Sequence, residues 1–316
     1  MDVRQLEYVV TLADTLHFGR AAERMHIAQS AFSTQIARLE RQIGAVLFDR
    51  AANRVSLTPA GEAFLPRAQA ILADIAEASS EARIRHTAGS NHLTIGLFCD
   101  SAGELTPLIV EAFRRTMPHV QLSFTELSMI NQVDALVNGD VDVAFVRSPL
   151  AHISLDFHGL FAEPRFVGVG IHHELTQRAE IHLADLADQA FAVAAPEAPA
   201  KWRAYWSCDD FRGEPGRVAA FVTNVPESLN AIAYAGAVDT FPGSATRFLR
   251  FPGIVYKPLT DGTYSAVTLA TRKSDHRSQV TAFRSVATHL AGMSLSVVPD
   301  AVPFDEDAHL APVVAP

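Results

Sequence analysis

The chain has 316 residues, 48% of them hydrophobic and 19% charged, with 26 basic against 35 acidic side chains. That composition supports about two or three globular units and excludes disordered and fibrous classes. No apolar run reaches the ~18 residues that a membrane helix needs, and Asp2, Arg4 and Glu7 stand where a secretory signal would be basic and then apolar, so a cytoplasmic protein with no membrane partner is expected.

Leu6, Val9, Val10 and Ala13 recur at helical spacing, and Phe18, Ala21, Ala22 and Met25 repeat it, which predicts two short amphipathic helices. A third helix follows over Gln29 to Ile43, with Phe32, Ile36, Leu39 and Ile43 on one side. Ser30, Ser33, Thr34, Arg38 and Arg41 fall mostly on the other side, giving a short, polar and partly basic face. His26, Ile27 and Ala28 make a turn of the length that a helix-turn-helix uses, and Gly44 ends the third helix. An apolar run at 46–48, a polar turn at 49–54 and Val55-Ser56-Leu57 then predict a two-stranded wing carrying Arg50 and Arg54. Spacing alone leaves this segment open between a DNA-binding unit and a small packing or dimerisation domain. The net charge of −9 looks unfavourable for DNA, but residues 1–89 hold ten Arg and ten acidic residues, so the excess acid lies wholly on 90–316.

The run LEYVVTLADTLHFGRAAERMHIAQSAFSTQIARLERQIGAVLFDRAANRVSLTPAGEAFL resembles, without a gap, the winged helix-turn-helix of LysR-type transcriptional regulators. FGRAAERMHIAQSAFSTQIARLE, LFDR and LTPAGEAFL are its most telling pieces. The resemblance implies that Gln29, Ser30, Ser33, Thr34 and Arg38 lie at or near the major groove of promoter DNA, with Arg50 and Arg54 on the wing. A helix amino terminus offers N–H groups to phosphate, and Gln or Arg reads base edges bidentately. Two positions depart from the family: Ser30 where Pro is usual, and Thr34 where Arg is frequent. The second removes a charge-assisted contact and bears on the operator sequence.

Thr58-Pro59 supplies an N-cap and a Pro at the first helical position. The helix they open is expected to run to about His86. Phe64, Ala68, Ile71, Ile75, Ala78 and Ala82 step by alternating four and three residues, the seam of a coiled coil, with Pro66 bending the helix near its start. A helix buried against its own chain is the alternative; the resemblance implies a homodimer through this linker helix, and a homotetramer as a dimer of dimers.

Beyond residue 90 strands are expected at His92 to Phe98, Val120 to Phe124 and Val141 to Val146, with helices at Glu104 to Arg115 and Asn131 to Asn138 between them. A second set follows: strands at Phe166 to Ile171, Phe191 to Ala194 and Val218 to Val222, a helix at Glu227 to Ala235, and a strand at Ile254 to Leu259. A strand at Ser265 to Thr271 and a helix near Val280 to Leu290 return to the first lobe. The alternation argues for parallel α/β sheets in two lobes, a periplasmic-binding-protein-like plan that LysR-type regulators carry. The expected organisation is a winged helix-turn-helix at 1–58, a linker at 59–89, an effector domain at 90–295 and a tail at 296–316. The first lobe takes about 90–163 and 268–295, the second about 164–267.

Ligands of such sheets sit at the carboxyl ends of strands, where helix amino termini point. Four places qualify: Ser101 with the Ala102 N–H after the first strand, Ser128 after the second, Arg147 after the third, and Asn224-Val225 before a helix of the second lobe. An Arg there can fork a carboxylate. By resemblance Ser101, Ser128 and Arg147 sit where the family holds its inducer, so a small carboxylate or aromatic acid is the expected effector. Each residue also has a plainer use: Ser before a helix as an N-cap, Arg after a strand in a structural ion pair. The cluster Trp202, Tyr205 and Trp206 either closes over a ring or simply packs. Cys99 and Cys208 are too few for a disulfide framework, and no Cys/His spacing suits zinc, so neither metal nor cofactor is expected. GxSxG, Walker, GxGxxG and HExxH motifs are lacking. The reading is therefore a regulator and no enzyme, with a pure solute-binding protein or an enzyme using the cleft as alternatives.

Overall fold

The computed structural model describes residues 1–51, 54–87 and 91–305. Internal packing divides the chain into Met1–Ala82 and Arg83–Pro316. In the first unit, α1 (Val3–Thr15) opens with a reciprocal cap, in which the Gln5 N–H donates to Asp2 Oδ1 at 2.9 Å and the Asp2 N–H to Gln5 Oε1 at 3.2 Å. His17 Nδ1 accepts from the first N–H groups of α2 (Phe18–Arg24). α3 (Gln29–Ile43) stops at Gly44, whose φ of 79° favours glycine. Val9, Leu12, Ala21, Phe32, Ile36 and Leu39 are wholly buried where the three helices meet. At about 1.5–3 kcal/mol for each large apolar side chain, that core fixes the angle at which α3 presents its outer face. Ile43, expected in this core, is exposed, since it lies on the last turn of α3.

The wing strands β1 (Phe48–Ala51) and β2 (Arg54–Leu57) pair antiparallel, with Asp49 opposite Ser56 and Arg50 opposite Val55. The strands thus reach further into the polar segment than its composition suggested. Residues 52 and 53 of the expected turn, the side chain of Arg54, residues 88–90 at the end of the expected linker, and residues 306–316 of the tail lie outside the described residues. Thr58 starts α4 (Pro59–Thr87): its Oγ1 accepts from Gly61 N at 3.0 Å and its carbonyl from Glu62 N at 2.8 Å. A Cβ on Gly61 would lie 2.1 Å from the Leu47 carbonyl oxygen, so this glycine lets the helix start against the wing.

The second unit begins with β3 (His92–Phe98), α5 (Leu105–Thr116), β4 (Gln121–Leu127), α6 (Gln132–Val137), β5 (Val143–Arg147) and β6 (Leu155–Glu163). It continues with β7 (Arg165–Gly170), β8 (Ala190–Ala194), α7 (Ala200–Trp206), α8 (Asp209–Arg212), β9 (Arg217–Val222), α9 (Val225–Ala235) and β10 (Asp239–Pro242). Then come α10 (Ala245–Phe248), β11 (Ile254–Pro258), β12 (Ser265–Arg272), α11 (Ser278–Ala291) and α12 (Ser294–Val297).

The first sheet runs β4-β3-β5-β12-β6, with β4, β3 and β5 parallel and β12 antiparallel to both neighbours. In the second, β7 lies antiparallel between β10 and β11, and β8 is parallel to β9. A parallel bridge from Phe191 to Val238 joins the two pieces, giving the order β9-β8-β10-β7-β11. The plans match. In each sheet the fourth strand enters from the other half: β7 directly after β6, β12 directly after β11. This corrects the expectation of purely parallel sheets.

β6 and β10 were not foreseen. In β6, Gly159 interrupts the apolar alternation, and a Cβ there would meet the ring of Phe304 at 2.0 Å. Val302 in turn pairs with Ala162 of β6, so the start of the expected tail belongs to this sheet's edge. Ile109, Phe113, Phe145, Phe161 and Phe283 fill the space between the first sheet and α5 and α11. A separate core that includes Phe98, Met129, Trp202, Trp206 and Phe241 fills the region where the two sheets face each other.

Candidate functional site

In the first unit, Gln29, Ser30, Thr34 and Arg38 are exposed along α3 and Ser33 is half-buried. The Arg50 guanidinium of the wing reaches back to this helix: Nη1 donates to Ser33 Oγ at 3.2 Å, and the group lies 4.5 Å over the Phe18 ring. Thr34 Oγ1 donates to the Ser30 carbonyl at 2.8 Å, so its hydroxyl hydrogen is spent on its own helix. Glu40 was missed from sequence. Its Oε1 accepts from Leu47 N at 2.8 Å and Phe48 N at 3.2 Å, which ties the wing to α3. The outward result is a polar helix face flanked by one fixed arginine.

In the second unit a cavity opens between the carboxyl ends of the two sheets. Phe98, Met129, Ala192, Ala194, Trp202, Trp206, Val225, Phe241 and Pro242 make its walls apolar. Cys99, Asp100, Arg147, Arg203, Ser207, Asp239 and Thr240 supply its polar edge. Hydrogen bonds connect the halves beside it: Trp202 Nε1 donates to the Arg147 carbonyl and Met129 N to the Thr223 carbonyl, each at 2.9 Å.

Arg147 is wholly enclosed. Its Nη2 donates to Asp100 Oδ1 and Oδ2 at 2.9 and 3.0 Å and to Ser244 Oγ at 2.9 Å. Its Nη1 donates to Glu163 Oε1 at 2.6 Å and to Ser265 Oγ at 3.3 Å. Glu163 also accepts from the N–H and hydroxyl of Ser244, each at 2.7 Å. Burial favours a neutral Arg147, but the Asp100 and Glu163 carboxylates outweigh it and hold the pKa above the ordinary arginine value. Asp100 moves upward because it is buried and faces Glu163, against the pull of Arg147. The Cys99 thiol is pushed well up, first by burial and then by Asp100, so it is protonated.

Asp239 accepts from Ser228 Oγ and from Thr240 N, yet burial prevails and pushes its pKa up to about 7. Below the cavity floor Arg165 is buried, with its guanidinium 4.2 Å from the Tyr205 ring centre and 5.5 Å from that of Trp206. It donates to the Tyr205 carbonyl and to Thr240 Oγ1, each at 2.8 Å. The rings of α7 are thereby clamped.

Of the six residues expected to hold an effector, Arg147 and Val225 line the cavity; Ser101, Ala102, Ser128 and Asn224 do not. Ser101 and Ala102 fall in a tight turn, because α5 starts only at Leu105. Their N–H groups are taken by the Phe98 carbonyl and by Thr106 Oγ1, so neither is open to an anion. Ser128 N donates to Asn131 Oδ1 at 2.7 Å, and Asn224 Oδ1 caps α9 through Glu227 N at 3.0 Å. Arg147 is at the expected place, but the fork expected to take a ligand carboxylate already holds two protein carboxylates. For Arg147 the plainer use, a structural ion pair, is the one seen, whereas neither Ser101 nor Ser128 is an N-cap: α5 follows Glu104 and α6 follows Asn131. The tryptophans form the wall, and β10, absent from the sequence reading, adds Asp239 to Pro242. Among the described residues no group of acidic, His or Cys side chains is arranged to hold a metal, and no helix is long and apolar enough to cross a membrane.

Comparison with known proteins matches residues 3–62 to the bacterial regulatory helix-turn-helix of the lysR family and residues 86–292 to the LysR substrate binding domain. The chain is 30% identical over 292 residues to the Hca operon transcriptional activator HcaR of Escherichia coli, covering 90% of this chain and 97% of that one. It is 28% identical over 285 residues to the transcriptional regulator AlsR of Bacillus subtilis, covering 90% and 94%. Among solved structures, full-length CbnR complexed with its target DNA shares 25% identity at a TM-score of 0.50, covering 92% of this chain and 100% of that one.

Proposed function

Because the chain belongs to the LysR family of transcriptional regulators, with a DNA-binding and an effector-binding domain, we propose that an aromatic effector in the cavity between the two sheets governs how two copies of α3 engage promoter DNA. The observation that carries this reading is the enclosed, tryptophan-walled cavity in a chain that also bears an exposed polar recognition helix. The cavity wall draws on β5, α7, α9 and β10, so a ligand touches both halves at once. Filling it biases the halves towards one arrangement, and the bias is limited by the ligand's differential affinity for the two states. Gln29, Ser30, Ser33, Thr34 and Arg38 contact the major groove, with Arg50 and Arg54 on the backbone beside it. The linker helix pairs two subunits, and two such dimers form a tetramer that spans separated half-sites. Its site of action is the cytoplasm, where promoter DNA lies, and the effector leaves unchanged because the protein performs no turnover.

The test is a pull-down of genomic fragments by the purified protein at moderate salt, where non-specific contacts fade. Discrete fragments with two-fold-related half-sites are expected. Uniform recovery of all fragments would overturn the reading.

A further inference from the structure

We propose that the ligand of this cavity is an uncharged aromatic molecule bearing a hydrogen-bond acceptor, and not a carboxylate. The inference rests on the reading of the cavity as the effector site and narrows the class of molecule that fits it.

The charge around the cavity argues first. Among the described residues two guanidinium groups reach the wall: both terminal nitrogens of Arg147 are spent on Asp100, Glu163 and the serines beside them, and Arg203 is engaged within the protein. Among the described residues no Lys or His lines the cavity. The charge of Arg147 is taken up by Asp100 and by Glu163, which also lies 3.7 Å from Arg247, and above about pH 7 Asp239 adds a further negative charge. A ligand carboxylate would lose its water here without gaining a counter-ion, and would face like charge as well.

The second observation concerns donors. Trp206 Nε1 and Arg147 Nε, both on cavity-lining residues, are buried without a hydrogen-bond partner among the described residues. The Trp206 ring has little freedom to seek one. It is packed against Trp202 at 5.8 Å and edge-on to Tyr205 at 5.2 Å, with Arg165 beside it. A buried N–H left unpaired is costly, and a neutral carbonyl or ether oxygen brought in by the ligand would satisfy it without importing charge. Asp239, also on the cavity lining, keeps lone pairs for a ligand N–H or O–H, since it accepts one bond each from Ser228 and Thr240. The apolar walls suit an aromatic ring.

Benzamide and benzoate, which have nearly the same shape, test this on the intact protein. The chain has two tryptophans and both line the cavity, so intrinsic fluorescence reports on this site. Benzamide is expected to change the emission saturably, with a Kd at least tenfold below that of benzoate. Trp206→Phe should weaken benzamide about fivefold while far-ultraviolet circular dichroism and a cooperative melting transition show an intact fold. Asp239→Asn, which removes an acid and leaves both tryptophans, should improve benzoate several-fold. Binding of benzoate as tight as benzamide, or an Asp239→Asn protein with an unchanged ratio between the two, overturns the inference and leaves the cavity as an effector site. A protein that responds to neither compound overturns the effector reading of the cavity itself.

Discussion

The indole N–H of Trp202, on α7, donates to the main-chain carbonyl of Arg147 at the end of β5, at 2.9 Å. A side chain from one half of the sensor thus reads the backbone of the other, beside a guanidinium that is itself fixed. Trp202→Phe keeps most of the ring and orphans that carbonyl, which is buried. The expected loss is about 1–3 kcal/mol, seen as a fall of several degrees in the thermal midpoint, with DNA affinity in the absence of effector nearly unchanged. An unaltered midpoint would mean that the two halves are not joined through this bond.

Arg147→Ala leaves Asp100 buried without its partner and Glu163 with only Arg247, 3.7 Å away. Breaking a buried pair from one side costs about 3–5 kcal/mol. Arg247 also bonds a carboxylate, Glu104, at 2.6 and 3.0 Å, but both partners are about a quarter exposed. Its replacement by Ala should cost under ~1 kcal/mol. Urea denaturation of the two variants checks the contrast; equal losses would show that enclosure does not set the strength of these pairs.

The sequence reading was most accurate where local chemistry decides. α3 has the bounds that Phe32, Ile36, Leu39 and Gly44 foretold, and Thr58-Pro59 starts α4 where an N-cap and Pro should. It was least accurate where distant segments meet. Nothing near Arg147 in the chain announces Glu163, Ser244 or Ser265, which reach it from β6, the loop after β10 and β12. The position of Arg147 was legible, but its occupancy was not. Ser101 was misread for another reason: α5 starts within one residue of the expected Glu104, but the turn before it spends the N–H groups of Ser101 and Ala102 locally, on the Phe98 carbonyl and Thr106 Oγ1. The tryptophans were visible in the sequence, but packing and ligand contact look alike until the opposite wall is known.

Asp239 makes stability depend on pH in a definite direction. Its folded pKa of about 7 lies above the ordinary 3.8, so the folded protein keeps a proton that the unfolded chain has lost. Stability from this group is complete below about pH 4 and falls as pH rises towards 7, by at most ~1.4 kcal/mol per unit. Asp239→Asn removes that slope. Melting curves between pH 5 and 8 should fall less steeply for the variant; parallel profiles would show that Asp239 does not titrate in this range.

On the DNA side, Arg50 and Ser33 are linked at 3.2 Å, so the wing and the recognition helix act as one surface. Gln29→Ala with Ser33→Ala should weaken operator binding by roughly 1–3 kcal/mol through lost base contacts. Arg50→Ala, on the backbone beside the groove, should weaken all sequences alike and lower the salt slope by about one. Fluorescence anisotropy with operator and scrambled duplexes separates the two. An unchanged operator affinity in the double variant would mean that another face of the first unit meets DNA.

The linker helix gives the last test. Ala68 is buried within the first unit, while Ile71 and Ile75 further along the same seam are 39% and 40% exposed. The early seam therefore serves the chain's own core, and the later seam faces outward with branched apolar side chains that gain nothing from water. Exposed isoleucines at this spacing are what a paired helix leaves open when its partner is absent. Ile71→Glu with Ile75→Lys in one chain would still permit cross-pairing, so both positions should be changed to Glu. Sedimentation velocity at micromolar concentration is then expected to shift from a dimer or larger species to the monomer, with the first unit still folded because neither side chain belongs to its core. A variant that sediments like the parent would place the dimer contact elsewhere on the chain.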